Sequence, residues 1–295
     1  MSNKPYKGFE PKWLLTPAPA GSYRSIFRWG DPAFFKYPKE SLYKMMKEAF
    51  HMTDEDFRDY TDDIGFDQVS LPDHPSRIAP EHLEALKKIV GKEFVTTGDY
   101  ERLSVAYGCT GYDLLRLRHK QIDSLPDVVV YPDTTEQVEE LVHYAAEHKL
   151  PLYVYGGGSS VTRGVEPIKG GISLDMRKRF NKILSFNEVD QTITVQAGLS
   201  GPALEEALQD APNRFGAKRQ YTCGHFPQSF EYSSVGGWVV TRGAGQNSTY
   251  YGTIADIVLS QKYATPIGRI VTPHYPREAT GPDLNQIMLG SEGTF

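Results

Sequence analysis

Apolar residues recur at helical spacing within the first 95 residues of the chain. In KESLYKMMKEAF (39–50) they return every three or four positions, and APEHLEALKKIVG (79–91) repeats the pattern with a glycine just past its end. We therefore predict a helical N-terminal extension over residues 1–95, in which these apolar stripes serve as packing surfaces. A connecting segment over residues 96–124 is predicted to follow it.

From residue 125 onward, short apolar runs alternate with amphipathic helices. DVVVYP (127–132) and LPLYVY (150–155) carry the branched and aromatic residues that are typical of strands. Between them, TTEQVEELVHYAAEHK (134–149) shows a helical repeat that begins at a Thr134 N-cap. This order predicts a strand–helix–strand unit.

Further downstream, the apolar period changes to two. GISLDM (171–176) and TITVQAG (192–198) alternate apolar and polar residues, as half-buried strands do. A helix is predicted at GPALEEALQDA (201–211), and two strands joined at PIG are predicted within IADIVLSQKYATPIGRIVTP (254–273). The pattern predicts an α+β domain with mixed sheets over residues 125–295.

A glycine-rich segment, LYVYGGGSSVTRG (152–164), begins within the second of the predicted strands. Three consecutive glycines remove Cβ atoms where a backbone must approach a ligand or adopt a positive φ. Successive amides in such a turn form an anion-binding nest, and Ser159 and Ser160 add hydroxyl donors. The segment predicts a phosphate or pyrophosphate site, and a tight turn that binds no ligand is the alternative.

Several familiar chemical signatures are absent from the sequence. Val161 stands where the third glycine of G-x-G-x-x-G would fall, and neither G-x-x-x-x-G-K-[ST] nor G-x-S-x-G occurs. No set of Cys and His residues has the spacing of zinc ligands, so we expect no metal site.

Composition and charge narrow the functional classes. The chain has 295 residues, a net charge of −5 and two cysteines. The acidic balance argues against nucleic-acid binding, and two cysteines cannot form a disulfide framework. Since no apolar run approaches the ~18 residues of a membrane span and the N-terminus lacks a signal peptide, we expect a cytoplasmic protein. The chain stops within the sequence MLGSEGTF, which reads as structured, and we expect it to be a fragment.

Two later segments repeat the chemistry of the glycine-rich segment. PQSFEYSSVGGWVVTRGAGQNSTYYG (227–252) and GPDLNQIMLGSEGTF (281–295) both combine glycines with serine or threonine around a short helix. Each could be an ordinary glycine-bearing turn. A long phosphorylated cofactor that contacts several loops would explain all three segments together.

The order and spacing of these motifs resemble a known family. YVYGGGSSV, PQSFEYSSVGGWVVTRGAG, YGTIADIVL and GPDLNQIMLGSEGTF together are similar to the PCMH-type FAD-binding domain of the vanillyl-alcohol-oxidase superfamily. Within it, the nearest likeness is to the alkyldihydroxyacetonephosphate synthases and their bacterial FAD-linked relatives. The resemblance covers residues 125–295 and extends more weakly to residues 102–118 and 27–38. It implies a two-subdomain FAD-binding fold.

The resemblance also implies roles for particular residues. VYGGGSS is similar to the loop that wraps the FAD pyrophosphate, QSFEYSS to the segment along the flavin, and TRGA and EGTF to two further cofactor-contacting stretches. The implied FAD-binding residues are Val154, Tyr155, Gly156, Gly157, Gly158, Ser159, Ser160, Gln228, Ser229, Phe230, Glu231, Tyr232, Ser233, Ser234, Gly237, Thr241, Arg242, Gly243, Ala244, Glu292, Gly293 and Thr294. For Arg242, a structural ion pair is the alternative to cofactor contact.

Some members of the superfamily bind flavin covalently through a histidine or cysteine beside the glycine loop. This chain has Tyr155 there, so the resemblance implies noncovalent FAD. His225 precedes the flavin-side segment and is a candidate catalytic residue that faces the substrate pocket, or else a histidine held within the fold. We expect Cys109 and Cys223 to be ordinary small buried residues. The catalytic residues of the family correspond to positions beyond residue 295.

Three functions remain open at this point. The first is an ether-lipid type transferase that exchanges an acyl group for a fatty alcohol on dihydroxyacetone phosphate. The second is an FAD-linked dehydrogenase of 2-hydroxy acids, and the third is an FAD-binding module without catalysis of its own. The implied partner is a small-molecule or lipid-like substrate, and peripheral membrane contact and a homodimer are compatible with the sequence.

Overall fold

A computed structural model describes residues 18–26, 39–57, 65–276 and 279–294. The helices are Tyr23–Ile26 (α1), Glu40–Phe50 (α2), Pro80–Val90 (α3), Asp99–Ser104 (α4), Gly111–His119 (α5), Thr135–Glu147 (α6), Gly201–Gln209 (α7), Ala211–Phe215 (α8), Val235–Val240 (α9), Ser248–Tyr251 (α10), Ile254–Ile257 (α11) and Leu284–Met288 (α12). The strands are Val95–Thr96 (β1), Val128–Val130 (β2), Leu152–Tyr155 (β3), Ile172–Asp175 (β4), Ile183–Asn187 (β5), Thr192–Val195 (β6), Lys262–Thr265 (β7) and Gly268–Val271 (β8). The α+β class predicted from the sequence is confirmed.

The chain forms two compact units. The first contains the described residues of Met1–Ser70 together with Gly111–Ile122, and the second contains the described residues of Leu71–Thr110 and Asp123–Phe295. These units do not follow the predicted boundaries of 1–95, 96–124 and 125–295. Helix α3, which was predicted in the N-terminal extension, belongs to the second unit and packs on its sheet. The division into functional domains therefore stays a prediction.

In the first unit, helix α2 forms where the apolar repeat predicts it, but its apolar stripe is not packed. Leu42, Met45 and Phe50 are 41%, 48% and 67% exposed, and no residue of the helix is buried. The expectation that this stripe is a packing surface is therefore not met within the described residues. The upstream segment 27–38, which carried part of the family resemblance, lies outside those residues.

A four-stranded sheet organises the second unit. Its strand order is β1-β2-β4-β3, with β1 antiparallel to β2 and the two other pairings parallel. The predicted strand–helix–strand unit is confirmed as β2, α6 and β3, but β4 lies between its two strands. Because Tyr155 at the end of β3 pairs with Asp175 at the end of β4, the segments that follow both strands leave the same edge of the sheet.

Both faces of this sheet are covered. Helices α3 and α6 pack on one face through Leu86 and Leu141, and a second cluster that includes Val129 and Tyr155 covers the other face. The strand predicted at GISLDM is confirmed as β4, but it is not half-buried, because all four of its residues are buried, including Ser173. A central parallel strand has no solvent face on which polar residues could lie.

The remaining strands form two antiparallel pairs, β5 with β6 and β7 with β8. The hairpin predicted at PIG is confirmed for β7 and β8. Only the beginning of the first predicted strand is wrong, because IADI forms helix α11. Thr253 and Asp256 form a capping box at the start of this helix, in which the side chain of each accepts a hydrogen bond from the backbone amide of the other. The apolar residues that follow gave no indication of this cap.

A third cluster of buried residues lies under α7 and α9. Its buried members are Leu199, Leu204, Leu208, Trp238, Ile254 and Leu289. The two later glycine-bearing segments, 227–252 and 281–295, contribute Trp238 and Leu289 to this cluster. Across the described ranges, no helix combines the length and the apolar character needed to cross a membrane.

Candidate functional site

The glycine loop Gly156–Ser160 follows directly on β3, and the chain itself approaches two of its glycines. A Cβ on Gly157 would lie 2.5 Å from the Cα of Ser233 and closer still to the carbonyl oxygen of Tyr232. A Cβ on Gly156 would overlap the hydroxyl oxygen of Ser234. The sequence predicted that a ligand comes close at these positions, and the structure places the second predicted segment in the side-chain space, with its backbone at Gly157 and the Ser234 hydroxyl at Gly156.

The backbone amides of the glycine loop are nevertheless left for another partner. Within the part of the chain that the structure describes, none of the five amides from Gly156 to Ser160 donates a hydrogen bond. The loop is buried or half-buried, and buried amides almost always have partners. Gly158 has a φ of 69°, a left-handed conformation of the kind that occurs in anion-binding nests. The loop fits an anionic group such as a diphosphate.

A segment that the sequence analysis did not assign to the site supports the far end of this loop. The amide of Cys109 donates to the carbonyl of Ser160 at 2.8 Å, and its thiol donates to the carbonyl of Gly158 at 3.3 Å. A Cβ on Gly108 would overlap the Ser160 carbonyl oxygen. Gly108 was the only feature of this segment that could have indicated its role. It was not enough, because that role depends on a loop about 50 residues away.

The two cysteines are both free thiols, and both are half-buried rather than fully buried as expected. Burial raises the pKa of the Cys223 thiol to about 11. Cys223 is therefore protonated near neutral pH, which makes it a poor nucleophile. A protonated, unreactive thiol agrees with the expected role of Cys223 as a packing residue.

The second predicted segment, Gln228–Ser234, turns into the start of α9. Ser234 caps that helix by accepting a hydrogen bond from the amide of Gly237 at 3.3 Å. Ser233 accepts a hydrogen bond from the indole nitrogen of Trp238 at 2.7 Å. Both serines are buried, and their hydroxyls fix the orientation of the segment through these internal hydrogen bonds. Gln228 and Glu231 are exposed. The remaining members, Ser229, Phe230 and Tyr232, are half-buried.

Hydrogen bonds at the end of α9 connect the third predicted segment with the fourth. These segments are Thr241–Ala244 and Glu292–Thr294. The amide of Glu292 donates to the carbonyl of Val240 at 2.9 Å. The guanidinium of Arg242 donates to the backbone carbonyl of Gln286 at 3.3 Å and to its side-chain oxygen. Arg242 thus braces α12 through neutral acceptors rather than through an ion pair, and its contact with the cofactor stays a prediction.

The predicted segments converge on one region of the second unit. The glycine loop touches Tyr232 and Ser233 of the second segment, and Glu292 of the last segment lies 3.0 Å from the Cβ position of Gly164, just past the glycine loop. Segments that are up to about 140 residues apart in sequence therefore lie close to one another.

His225 lies inside the fold rather than at the surface of this region. Its side chain is 1% exposed, and its ring meets that of Trp238 edge-on with centroids 4.8 Å apart. Neither ring nitrogen has a hydrogen-bond partner among the described residues. This placement favours the alternative of a histidine held within the fold. Burial lowers the pKa of His225, so the imidazole is neutral at physiological pH.

This burial predicts a pH-dependent stability. In the unfolded chain His225 takes up a proton as the pH falls through about 6.5, but the folded chain resists protonation to a lower pH. The stabilising contribution is therefore complete above about pH 6.5 and is lost as the pH falls from there toward the folded pKa. We expect the free energy of unfolding to decline between pH 7 and pH 5, measured by urea titration.

His225→Phe provides the matched control for this pH effect. Phenylalanine keeps the ring next to Trp238 and removes both unpartnered nitrogens, so the variant is expected to fold and to show a shallower decline. An identical decline in wild type and His225→Phe would show that other groups cause it.

No group of three or more His, Cys, Asp or Glu side chains within the described ranges is arranged to hold a metal ion. The unbonded groups that the structure shows at the predicted site are the backbone amides of the glycine loop.

Comparison with known proteins identifies the family. Residues 126–273 match a sequence family described as an FAD binding domain. The chain is 34% identical to the alkyldihydroxyacetonephosphate synthase of Dictyostelium discoideum, over 75% of this chain and 35% of that protein. It is 29% identical to D-lactate dehydrogenase [cytochrome] 1, mitochondrial, of Saccharomyces cerevisiae, over 72% of this chain and 35% of that protein.

Structural comparison gives the same result. A solved structure of an alkyldihydroxyacetonephosphate synthase is similar with a TM-score of 0.68 and 33% identity, over 75% of this chain and 42% of that one. The chain thus spans about a third of the length of the curated relatives it matches. The resemblance inferred from the motifs is confirmed, and so is the cofactor. The chain belongs to the family of PCMH-type FAD-binding domains.

Proposed function

We propose that the converging loops hold FAD noncovalently. The observation that carries this proposal is the row of five unbonded amides at Gly156–Ser160, in the region where the other predicted segments meet. In this proposal the amides bind the diphosphate, while Ser229–Tyr232, Thr241–Ala244 and Glu292–Thr294 line the remainder of the cofactor. Ser233, Ser234 and Arg242 act as positioning residues for these loops.

The noncovalent mode is tested by acid precipitation of the flavin-loaded protein. FAD in the supernatant, identified by chromatography, supports the proposal, and flavin that stays in the pellet contradicts it. Cys109 is the half-buried thiol next to the glycine loop, so Cys109→Ser is the matched control. Flavin released only from Cys109→Ser would identify Cys109 as the covalent attachment point.

Gly243→Ala tests whether FAD contacts the third segment. A Cβ on Gly243 would lie 3.5 Å from the Nε2 of His225 and 3.5 Å from the carbonyl oxygen of Trp238, both ordinary contact distances. The protein itself therefore accommodates the methyl group. If FAD packs against Gly243, we expect its Kd to rise about tenfold, measured by flavin fluorescence, with an unchanged melting temperature.

Gly111→Ala is the control for this change, since nothing lies within 4 Å of the Cβ position of Gly111. It should leave both FAD affinity and melting temperature unaltered. Unchanged FAD affinity in Gly243→Ala would show that FAD does not pack against Gly243 on the side of the added methyl group, without affecting the glycine loop.

For the reaction, we propose the acyl-to-alkyl exchange of the alkyldihydroxyacetonephosphate synthases. The relatives with that name support it, with 34% identity for the one from Dictyostelium discoideum. The yeast D-lactate dehydrogenase supports the alternative, an FAD-dependent oxidation of 2-hydroxy acids. In either case the flavin supplies the electron chemistry, and the residues of this chain bind and orient it.

The reaction is tested by offering the FAD-loaded protein two sets of substrates. One is acyl-dihydroxyacetone phosphate with a fatty alcohol, and the other is D- and L-2-hydroxy acids with a dye as electron acceptor. Alkyl product supports the transferase, and dye reduction supports the dehydrogenase. Absence of both, with FAD bound, supports the third candidate, a binding module without catalysis of its own.

We further propose that the protein acts in the cytoplasm on a small-molecule or lipid-like substrate. The exposed apolar stripe of α2 supports peripheral contact with a lipid surface. Cell fractionation and vesicle co-sedimentation test these two proposals, and light scattering tests the homodimer that the sequence allows.

A further inference from the structure

Arg177 lies at the same edge of the sheet as the glycine loop. Tyr155 and Asp175 are paired in the parallel strands β3 and β4. The glycine loop follows β3 directly, and Arg177 follows β4 by two residues. No motif in the sequence points to this arginine, because its proximity to the loop arises only from strand pairing.

The guanidinium of Arg177 is held in a fixed orientation by Asp175. Nε donates to Oδ1 of Asp175 at 2.9 Å, and Nη2 donates to Oδ2 at 2.6 Å. The Asp175 side chain is 2% exposed, whereas that of Arg177 is 39% exposed. Such a bidentate pair gives a rigid cation, which loses little conformational freedom when it binds a further anion.

An aromatic ring connects this cation to the glycine loop. The Cζ of Arg177 lies 4.7 Å from the ring centroid of Tyr155. The hydroxyl of the same ring fills the space where a Cβ of Gly158 would be. Arg177 and Gly158 therefore contact one side chain, and Gly158 is the central member of the five unbonded amides.

The guanidinium has hydrogen-bonding capacity left over. Nη1 of Arg177 donates no hydrogen bond to any residue that the structure describes. Although burial opposes it, the hydrogen bonds and the charge of Asp175 raise the pKa of Arg177 above its ordinary value. Arg177 is therefore a permanent, partly exposed cation, and the Tyr155 side chain that it contacts also contacts the loop of unbonded amides.

We propose that Arg177 is a further binding residue for the diphosphate of FAD, acting together with the amides of the glycine loop. The proposal rests on the proposed FAD site. A guanidinium and a row of amides are both groups that bind phosphate oxygens.

The test measures the affinities of FAD and ADP for wild type and Arg177→Gln at low and high salt. Both ligands carry the diphosphate, and ADP lacks the flavin. We expect both Kd values to rise about tenfold in Arg177→Gln at low salt. The difference should shrink at high salt, because Arg177 is partly exposed and its charge is screened.

Arg214→Gln is the matched control. Arg214 is 41% exposed and pairs with the carboxylates of Glu206 and Asp210 on α7 and just after it. It carries the same charge and a similar salt bridge, and we expect its replacement to leave both affinities unchanged. Removal of the Arg177 guanidinium also leaves the buried Asp175 carboxylate without its cationic partner, although the backbone amide of residue 177 still donates to it, so the double variant Asp175→Asn/Arg177→Gln is measured as well.

The outcomes separate this inference from the proposed function. Failure of wild type to bind FAD would contradict the proposed site itself. If wild type binds FAD but a folded Arg177→Gln or double variant binds FAD and ADP within twofold of wild type, only the role of Arg177 is overturned. Should neither variant fold, Arg177→Lys decides: a several-fold loss of affinity for both ligands supports the proposal, and wild-type affinity contradicts it.

Discussion

Gly157→Ala should destabilise the protein and abolish flavin binding together. The added methyl group would meet the backbone of Tyr232 and Ser233, which cannot rotate away as a flexible side chain could. We expect a loss of at least about 3 kcal/mol in the free energy of unfolding, since overpacking a tight contact typically costs 1–3 kcal/mol or more. This corresponds to a fall in melting temperature of roughly 6–12 °C.

The measurement for this variant is a thermal melt without cofactor, followed by FAD titration of the folded fraction. Gly111→Ala serves as the control, because its Cβ position is open. Loss of flavin binding with an unchanged melting temperature would show that a ligand, rather than the Tyr232–Ser233 backbone, makes the critical approach to Gly157. That result would restore the explanation suggested by the sequence alone.

Trp238→Ala should have a comparable effect on stability. Trp238 is 3% exposed, packs edge-on against His225, and stacks on Phe230 with ring centroids 6.2 Å apart. Its indole nitrogen also donates to Ser233. Truncation leaves a large cavity under α9, and such changes cost about 3–5 kcal/mol. Urea titration monitored by circular dichroism measures the loss.

Two further variants divide this effect into its parts. Ser233→Ala removes only the hydrogen-bond acceptor and should cost about 1 kcal/mol. Trp238→Phe retains an aromatic ring and should fall between the two. A free energy of unfolding for Trp238→Ala within about 1 kcal/mol of wild type would contradict the view that this ring supports the second segment.

Elements with strong local patterns were predicted from the sequence. Helices α3 and α6 and strands β2 and β3 have clear periodicity and end signals such as the glycine after α3. The sequence failed where tertiary context overrides the pattern. The apolar residues of IADI are compatible with a strand as well as with a helix, and the capping box at Thr253 and Asp256 is the feature that favours the helix.

The burial of β4 and the exposure of α2 show the same limit. GISLDM alternates like a half-buried strand, yet its position between β2 and β3 buries every residue from Ile172 to Asp175. The stripe of α2 has the pattern of a packing surface, yet Phe50 is 67% exposed. Periodicity reports which side of an element is apolar, and it does not report what lies against that side.

The cofactor class was indicated by the sequence. The glycine loop predicted a phosphate or pyrophosphate site, because phosphate binding needs free amides and small residues, and the order of the motifs implied FAD through its resemblance to a family that the comparison confirms. Those requirements are local, and a sequence displays them directly. The family comparisons agree with that conclusion.

Only the tertiary structure decided which atoms fill the space around those residues. It placed Tyr232 and Ser233 against Gly157, Cys109 against Ser160, and Arg177 beside the ring of Tyr155. These contacts join segments from about 20 to about 75 residues apart in sequence, and they depend on strand order and loop packing. Strand order and loop packing are set by the burial of the whole core, which no short stretch of sequence encodes.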